Sequence, residues 1–207
     1  MKIEELLDSQ AFAAIEAAVR DAERCTSGEI VPLLAERSDA YAEVRLVAGA
    51  LLALGAGVLW LSFVPEHGRW LLATQLGVFA LAAWLAGQRA VLRWLAPHAW
   101  LVERVQRAAE LAFHQLGMVE TRDRTGILIY VSLLERRVVV LADRGIHARV
   151  AEGTWDGVVA RVVEGIRRGQ ADEGLVEGIR LCGEILGRHV PAGPDDRNEL
   201  PDRPRGG

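Results

Sequence analysis

The chain has 207 residues and a formal net charge of −4, with 24 Lys and Arg against 28 Asp and Glu. That length admits a membrane hairpin plus one domain of ordinary size, and the mildly acidic balance does not suggest a nucleic-acid partner, which needs a basic face. The two cysteines, Cys25 and Cys182, form no CxxC pair, which excludes a disulfide scaffold and fits a reducing compartment.

Met1 to Leu7 lacks the basic and apolar regions of a cleavable signal peptide. Asp8 or Ser9 is placed to cap a first helix, in which Phe12, Ile15, Val19 and Ala22 recur at helical spacing and form one buried stripe. Turn formers at Cys25 to Gly28 end it. Glu29 to Ala35 then reads as a strand, with Pro32 assigning it to an edge or a bulge.

Leu46 to Val64 and Trp70 to Gln88 each run without a charge. At about 1.5 Å per residue each covers roughly 29 Å, close to the hydrocarbon thickness of a bilayer. Pro65 to Arg69 is a polar turn between them, so the pair reads as an antiparallel transmembrane hairpin. A pair of buried helices in a soluble core is disfavoured, because adjacent apolar runs of this length exceed ordinary core helices. Arg37 and Arg45 precede the hairpin, and Arg89, Arg93, Arg104 and Arg107 follow it. This asymmetry puts both flanks in the cytoplasm and the Glu66–Arg69 loop outside. Arg45, Trp60, Trp70, Arg89, Arg93 and Trp94 are the expected interface residues. Gly49, Ala53 and Gly57, with Ala73 and Gly77 on the second helix, recur every four residues and suit close packing within the hairpin. No ionisable residue lies at depth, so the hairpin is an anchor rather than a transport path.

Ala99 to Leu116 resumes a helix whose buried face is marked by Leu101, Val105, Ala108, Ala112 and Leu116. Thr125 to Leu134 and Arg137 to Ala142 are apolar strands joined at Glu135-Arg136, and both read as central strands covered on two faces. Two helices follow. One carries Trp155, Val158, Val159, Val162, Val163 and Ile166; the other carries Leu175, Ile179, Cys182 and Leu186, with Gly174 and Gly178 permitting close approach. The order predicts an α/β fold, an α-β-α sandwich with a small mixed sheet and helices on both faces, into which a transmembrane helical hairpin is inserted. The first two strands are expected parallel and the third antiparallel. The boundaries are 1–43 and 94–190 for the cytosolic domain, 44–93 for the hairpin and 191–207 for a Pro/Gly/charged tail.

The ordered set Thr26-Ser27-Gly28-Glu29-Ile30-Val31, Phe113 with Leu116-Gly117, Thr121 to Ile129, Glu135-Arg136, Ala142 to Ile146, Trp155, Gly178-Ile179, Cys182-Gly183 and Asn198 to Asp202 resembles the TPM-domain family. The likeness covers nearly the whole chain and is to the short bacterial form, with two membrane helices after the first strand. It implies either a role beside membrane assemblies or the phosphatase activity associated with plant members. In longer members the segment resembling Asp143-Arg144-Gly145-Ile146 is followed by an acidic residue; here only Glu152 and Asp156 stand near that place.

No GxSxG, P-loop, HExxH or paired-histidine motif is present, and His67, His98, His114, His147 and His189 are scattered. Topology instead brings Thr26 and Ser27, Asp123 and Thr125, and Asp143 and Gly145 to one sheet edge. Two chemistries remain open there. Asp123 and Asp143 are candidate ligands for Ca²⁺ or Mg²⁺, with Thr26 and Ser27 contacting a phosphate; or the two Asp residues cap turns and pair with Arg122, Arg124 and Arg144. The functional expectation is a domain held at the inner (cell) membrane by two helices, cytoplasmic, with the lipid bilayer and a membrane protein as partners. The alternative is a metal-assisted phosphoester hydrolase. The same topology puts Leu133 to Arg137 at the end of the sheet nearest the bilayer.

Overall fold

The computed structural model of the chain describes residues 3, 7–63, 70–121, 123–193 and 205–206. The expected loop Pro65 to Arg69, Arg122 and the Asn198 to Asp202 motif lie outside them. The chain divides into two compact units, Met1–Ser38 with Val102–Gly207, and Asp39–Leu101.

In the first unit Asp8 caps α1 (Ser9–Glu23), its Oδ1 accepting the Ala11 N–H at 2.8 Å. The buried face of α1 is Ala11, Ile15, Ala18 and Val19, with Phe12 and Ala22 at its margin. Strands β1 (Glu29–Ala35) and β2 (Gly126–Ser132) pair in parallel from Glu29 opposite Gly126 to Ala35 opposite Ser132. Strand β3 (Arg137–Ala142) pairs antiparallel with β2. On the other side of β1 the two residues of β4 (Arg205–Gly206) meet Leu33 and Leu34. Glu29 donates its N–H inward to Thr125, so alternate residues 30, 32 and 34 turn theirs outward. Ile30 finds the Glu23 carboxylate there at 2.8 Å. Pro32, which has no N–H, faces that side too, where the two residues of β4 pair only with Leu33 and Leu34; β1 is therefore an inner strand without a bulge, not the edge or bulge that the proline led the sequence to predict.

Both strand faces are apolar because both are covered. Ile30, Leu34, Ile127, Ile129 and Val131 face α1, α7 (Asp156–Arg168) and α8 (Ala171–His189). Val31, Leu33, Leu128 and Tyr130 face α5 (His98–Gln115). Leu175, Ile179, Cys182 and Leu186 of α8 are wholly buried, as their spacing predicts. Gly174 and Gly178 permit the contact with α7: a Cβ on Gly174 would lie 2.7 Å from the Gly165 Cα, and one on Gly178 would lie 2.6 Å from Val162.

Further sequence expectations are corrected. On α5 the buried line runs Val105, Ala109 and Phe113, an i, i+4 row one position round from the expected Ala108–Ala112 row, which packs at its flank. Strand β3 is an edge strand, mostly half-buried, since its outer side has no further strand in the order β3-β2-β1-β4. Its valines reflect β propensity on a half-covered surface rather than a central place.

The second unit contains α2 (Ala42–Phe63), α3 (Leu71–Ala86), α4 (Arg89–Leu95) and the first residues of α5. Helices α2 and α3 pack antiparallel through the glycines expected for it: a Cβ on Gly49 would meet the Phe79 ring at 3.0 Å, and one on Gly57 the Gln75 amide at 2.3 Å. On α3, however, the packing row is Gln75, Phe79, Ala82 and Ala86, and a Cβ on Gly77 would meet open space. The expected second run, Trp70 to Gln88, forms α3 from Leu71 to Ala86; Gly87 and Gln88 end it, and α4 leaves at 92°. The helix breaks at Gln88, whose backbone is extended at φ −69° and ψ 136°, and Gly87 lets Arg45 lie against it, where a Cβ would be 3.0 Å from Arg45 Nε. By length and composition, among the described residues, Ala42–Phe63 is long and apolar enough to cross a membrane, with mean hydropathy 2.1; α3 qualifies only when joined with α4.

Candidate functional site

The sheet edge where β1 and β2 begin and β3 ends gathers the residues that topology assigns to it. Thr125 donates its hydroxyl to the Ser27 carbonyl at 2.8 Å, and its N–H goes to Thr121 Oγ1 at 3.1 Å. The Thr26 hydroxyl donates to the Val190 carbonyl at 2.5 Å and accepts the Gly28 N–H at 3.1 Å. Thr26 and Thr125 are 2% and 3% exposed, so both are committed to backbone groups and closed to solvent. Ser27 is half-buried beside them.

Asp143, 5% exposed, is a buried acid of this edge, as is Glu29 at 7%. Its Oδ1 accepts the Arg144 N–H at 2.7 Å and caps the single turn α6 (Arg144–His147). Its Oδ2 forms an ion pair with Arg124 Nε at 3.0 Å and accepts no hydrogen bond from any described group. Arg124 also donates to the Val119 carbonyl and holds a left-handed backbone at φ 56°. Arg124 is therefore fixed at both side chain and backbone. Gly145 completes the arrangement. Its N–H reaches the Arg124 carbonyl at 3.0 Å, and a Cβ there would stand 2.3 Å from the Asp123 carbonyl oxygen. The Asp123 side chain points to a different surrounding, since the residue is exposed in the turn.

Ca²⁺ and Mg²⁺ take six or more oxygen ligands, mostly carboxylates, carbonyls and waters. This edge supplies a guanidinium where such an ion would sit, and its threonine hydroxyls are already bonded. Among the described residues no group of three or more His, Cys, Asp or Glu side chains is placed to hold a metal. The donor set does not fit the ion.

The opposite end of the sheet holds a polar cluster that the sequence read only as a turn. Ser38 donates its N–H to Glu135 Oε1 at 3.0 Å and its hydroxyl to Ser132 Oγ at 2.9 Å, and lies 3.1 Å from the Tyr130 hydroxyl. Ser132 in turn donates to Glu135 Oε2. Ser132, Tyr130 and Glu135 are all buried. Burial pushes the Tyr130 phenol above its usual value of 10.0; the Ser38 hydrogen bond works against that rise and the Glu135 charge adds to it. The signal in sequence was a serine and a tyrosine inside an apolar strand, followed by a carboxylate in a tight turn. This end is the one from which the chain leaves at Ser38, as the parallel pairing predicts.

Of the expected interface residues, Trp70 and Trp94 are 54% and 83% exposed, and Arg89 and Arg93 are exposed on α4. Trp60 is half-buried near the end of α2. Arg45 points its Nε to the Ala83 carbonyl at 3.4 Å, across from α2 to α3.

Residues 100–185 match the family model of the TPM domain. The NMR structure of the BA42 protein from the psychrophilic bacterium Bizionia argentinensis is similar, with a TM-score of 0.64 and 26% identity over 100% of this chain and 99% of that one. No curated protein matches the sequence. The family match falls on α5, β2, β3 and the last two long helices, whereas the structural likeness spans the whole chain.

Proposed function

We propose that this chain is a TPM-like domain held at the inner membrane by the 44–93 segment, with the domain in the cytoplasm, and that it works as a binding or assembly module for a membrane protein. The observation that carries the reading is the surface of α2. Leu51, Leu52, Leu54, Val58 and Leu59 are each 59–65% exposed, on a helix of 22 residues with only Arg45 and Glu43 charged, both in its first turn. An apolar surface this continuous is stable in lipid and costly in water. On the domain side, the polar edge is bonded internally: Asp143 to Arg124, Thr125 to Ser27 and Thr26 to Val190. Such an edge supports recognition or structure better than turnover.

The hydrolase reading, with Asp123 and Asp143 holding Ca²⁺ or Mg²⁺ and Thr26 and Ser27 contacting phosphate, draws on the phosphatase label of the matched family model. One assay separates the two. The purified full-length protein in nanodiscs, given p-nitrophenyl phosphate with Mg²⁺ or Ca²⁺, is expected to turn over no faster than Asp143→Asn. Metal-dependent turnover that disappears in Asp143→Asn would overturn the binding-module reading.

A further inference from the structure

We infer that the foot of the hairpin is a binding site for one anionic phospholipid, with α4 lying in the plane of the membrane surface and an acyl chain seated in the cavity beside α2. This inference rests on the membrane-anchor reading above.

The turn after α3 supplies the first observation. If α3 crosses the bilayer, a helix leaving it at 92° runs along the interface. The composition of α4 suits that place. Arg89 and Arg93 stand four residues apart on one exposed face, Trp94 is 83% exposed, and Leu92, at 5%, packs inward. A cationic face and an exposed indole are side chains that hold a short helix at a headgroup boundary, while Leu92 fixes it to its own unit.

The second observation is a cavity of about 290 Å³ whose lining includes Glu43, Val47, Ala48 and Leu51 of α2, with Leu95 and Trp100. Glu43 is its one charged lining residue. An apolar cavity of roughly 150 Å³ already stays dry and takes up hydrocarbon in a well-studied engineered protein. From Glu43 to Leu51 the lining extends about 12 Å along α2. A single hydrocarbon chain fits.

Charge selects the headgroup. Arg45 is anchored at the same end of the hairpin, against Ala83 and Gly87, so it joins the two arginines of α4 where α2 begins and α3 ends. Arginines near a membrane surface favour anionic over zwitterionic lipid, by about fivefold each.

The test is native mass spectrometry of the full-length protein released from nanodiscs containing equal phosphatidylglycerol and phosphatidylcholine, with carbonate extraction of the same membranes. Wild type is expected to resist extraction and to retain one phosphatidylglycerol. The exposed double variant Arg89→Gln/Arg93→Gln should stay in the membrane and lose selectivity on the order of 25-fold. Ala48→Phe, which fills the cavity, should lower occupancy by lipids of either headgroup. Equal retention of the two lipids by a carbonate-resistant wild type would overturn the lipid site and leave the anchor standing. Co-release of a protein, lost in Ala48→Phe, would overturn it in favour of a partner segment. Extraction of wild type by carbonate would overturn both readings.

Discussion

Arg124 Nε lies 3.0 Å from Asp143 Oδ2, and the two side chains differ in exposure, 38% for the arginine and 5% for the aspartate. That difference makes the pair asymmetric to mutation. Arg124→Gln leaves a buried carboxylate without its counter-charge, whereas Asp143→Asn leaves a guanidinium that water can reach and keeps a side-chain oxygen to cap Arg144. Arg124→Gln should cost about 2–3 kcal/mol, and Asp143→Asn clearly less. Denaturation of the full chain in detergent checks the order; the reverse order would mean that Arg124 does not serve as the counter-charge.

The same pair answers the question of a divalent ion. With the guanidinium in the cation's place, millimolar Ca²⁺ or Mg²⁺ should leave the melting temperature of wild type unchanged. A ligand that binds the folded state raises it by mass action. A rise in wild type that is absent in Asp143→Asn would show that the edge does take an ion.

Gly145 is a steric requirement of this edge. A methyl group there would stand 2.3 Å and 2.6 Å from the carbonyl oxygens of Asp123 and Arg124, both backbone atoms that cannot swing aside. Gly145→Ala should destabilise the domain by about 2–3 kcal/mol, measured by the same denaturation. A neutral result would mean that the turn before β2 shifts freely.

At the other end of the sheet the pH dependence has a definite sign. Burial holds Tyr130 above its usual 10.0, with the Ser38 hydrogen bond opposing and Glu135 reinforcing the rise. Below about pH 10 the phenol is protonated in both folded and unfolded chains, and its contribution is fully present. As pH climbs from 10.0 toward the folded value, the unfolded chain ionises first and stability falls. Tyr130→Phe should remove that component, flattening the alkaline limb by up to about 1.4 kcal/mol per pH unit. Part of the decline remains in the variant, because the buried Cys182 thiol is also pushed up, from 9.0. Identical limbs in wild type and variant would count against the buried phenol.

Periodicity made the first unit's layers legible. The all-apolar β1 and β2 required cover on both faces, and the Leu175–Ile179–Cys182–Leu186 row identified the inner face of α8 without ambiguity. It was less decisive on α5, where alanines at 108, 109 and 112 weigh almost equally in any stripe; bulkier Phe113, packing with Val105, decides the face. The edge position of β3 was hidden because β-branched residues suit edge and centre alike. Chain order placed Asp143 beside the start of β2, but nothing in composition chose between Arg122, Arg124 and Arg144 as its partner. That choice depends on the left-handed turn at Arg124. The 92° break after α3 had one local sign, Gly87, in a run whose hydrophobicity suggested continuity. The Ser38–Glu135 bond joins residues 97 apart, a separation no local pattern reports.

Residues 44–93 are proposed to anchor the chain with the domain on the cytoplasmic side. Membrane-impermeant maleimide labelling in spheroplasts of a bacterial host tests it most directly. The exposed Cys25 is first changed to serine, and the buried Cys182 is left in place. Single cysteines are then introduced as His67→Cys and Gln170→Cys. The account predicts that the cysteine at 67 is labelled in intact spheroplasts and the one at 170 only after permeabilisation. Labelling at 170 but not at 67 in intact spheroplasts would contradict it.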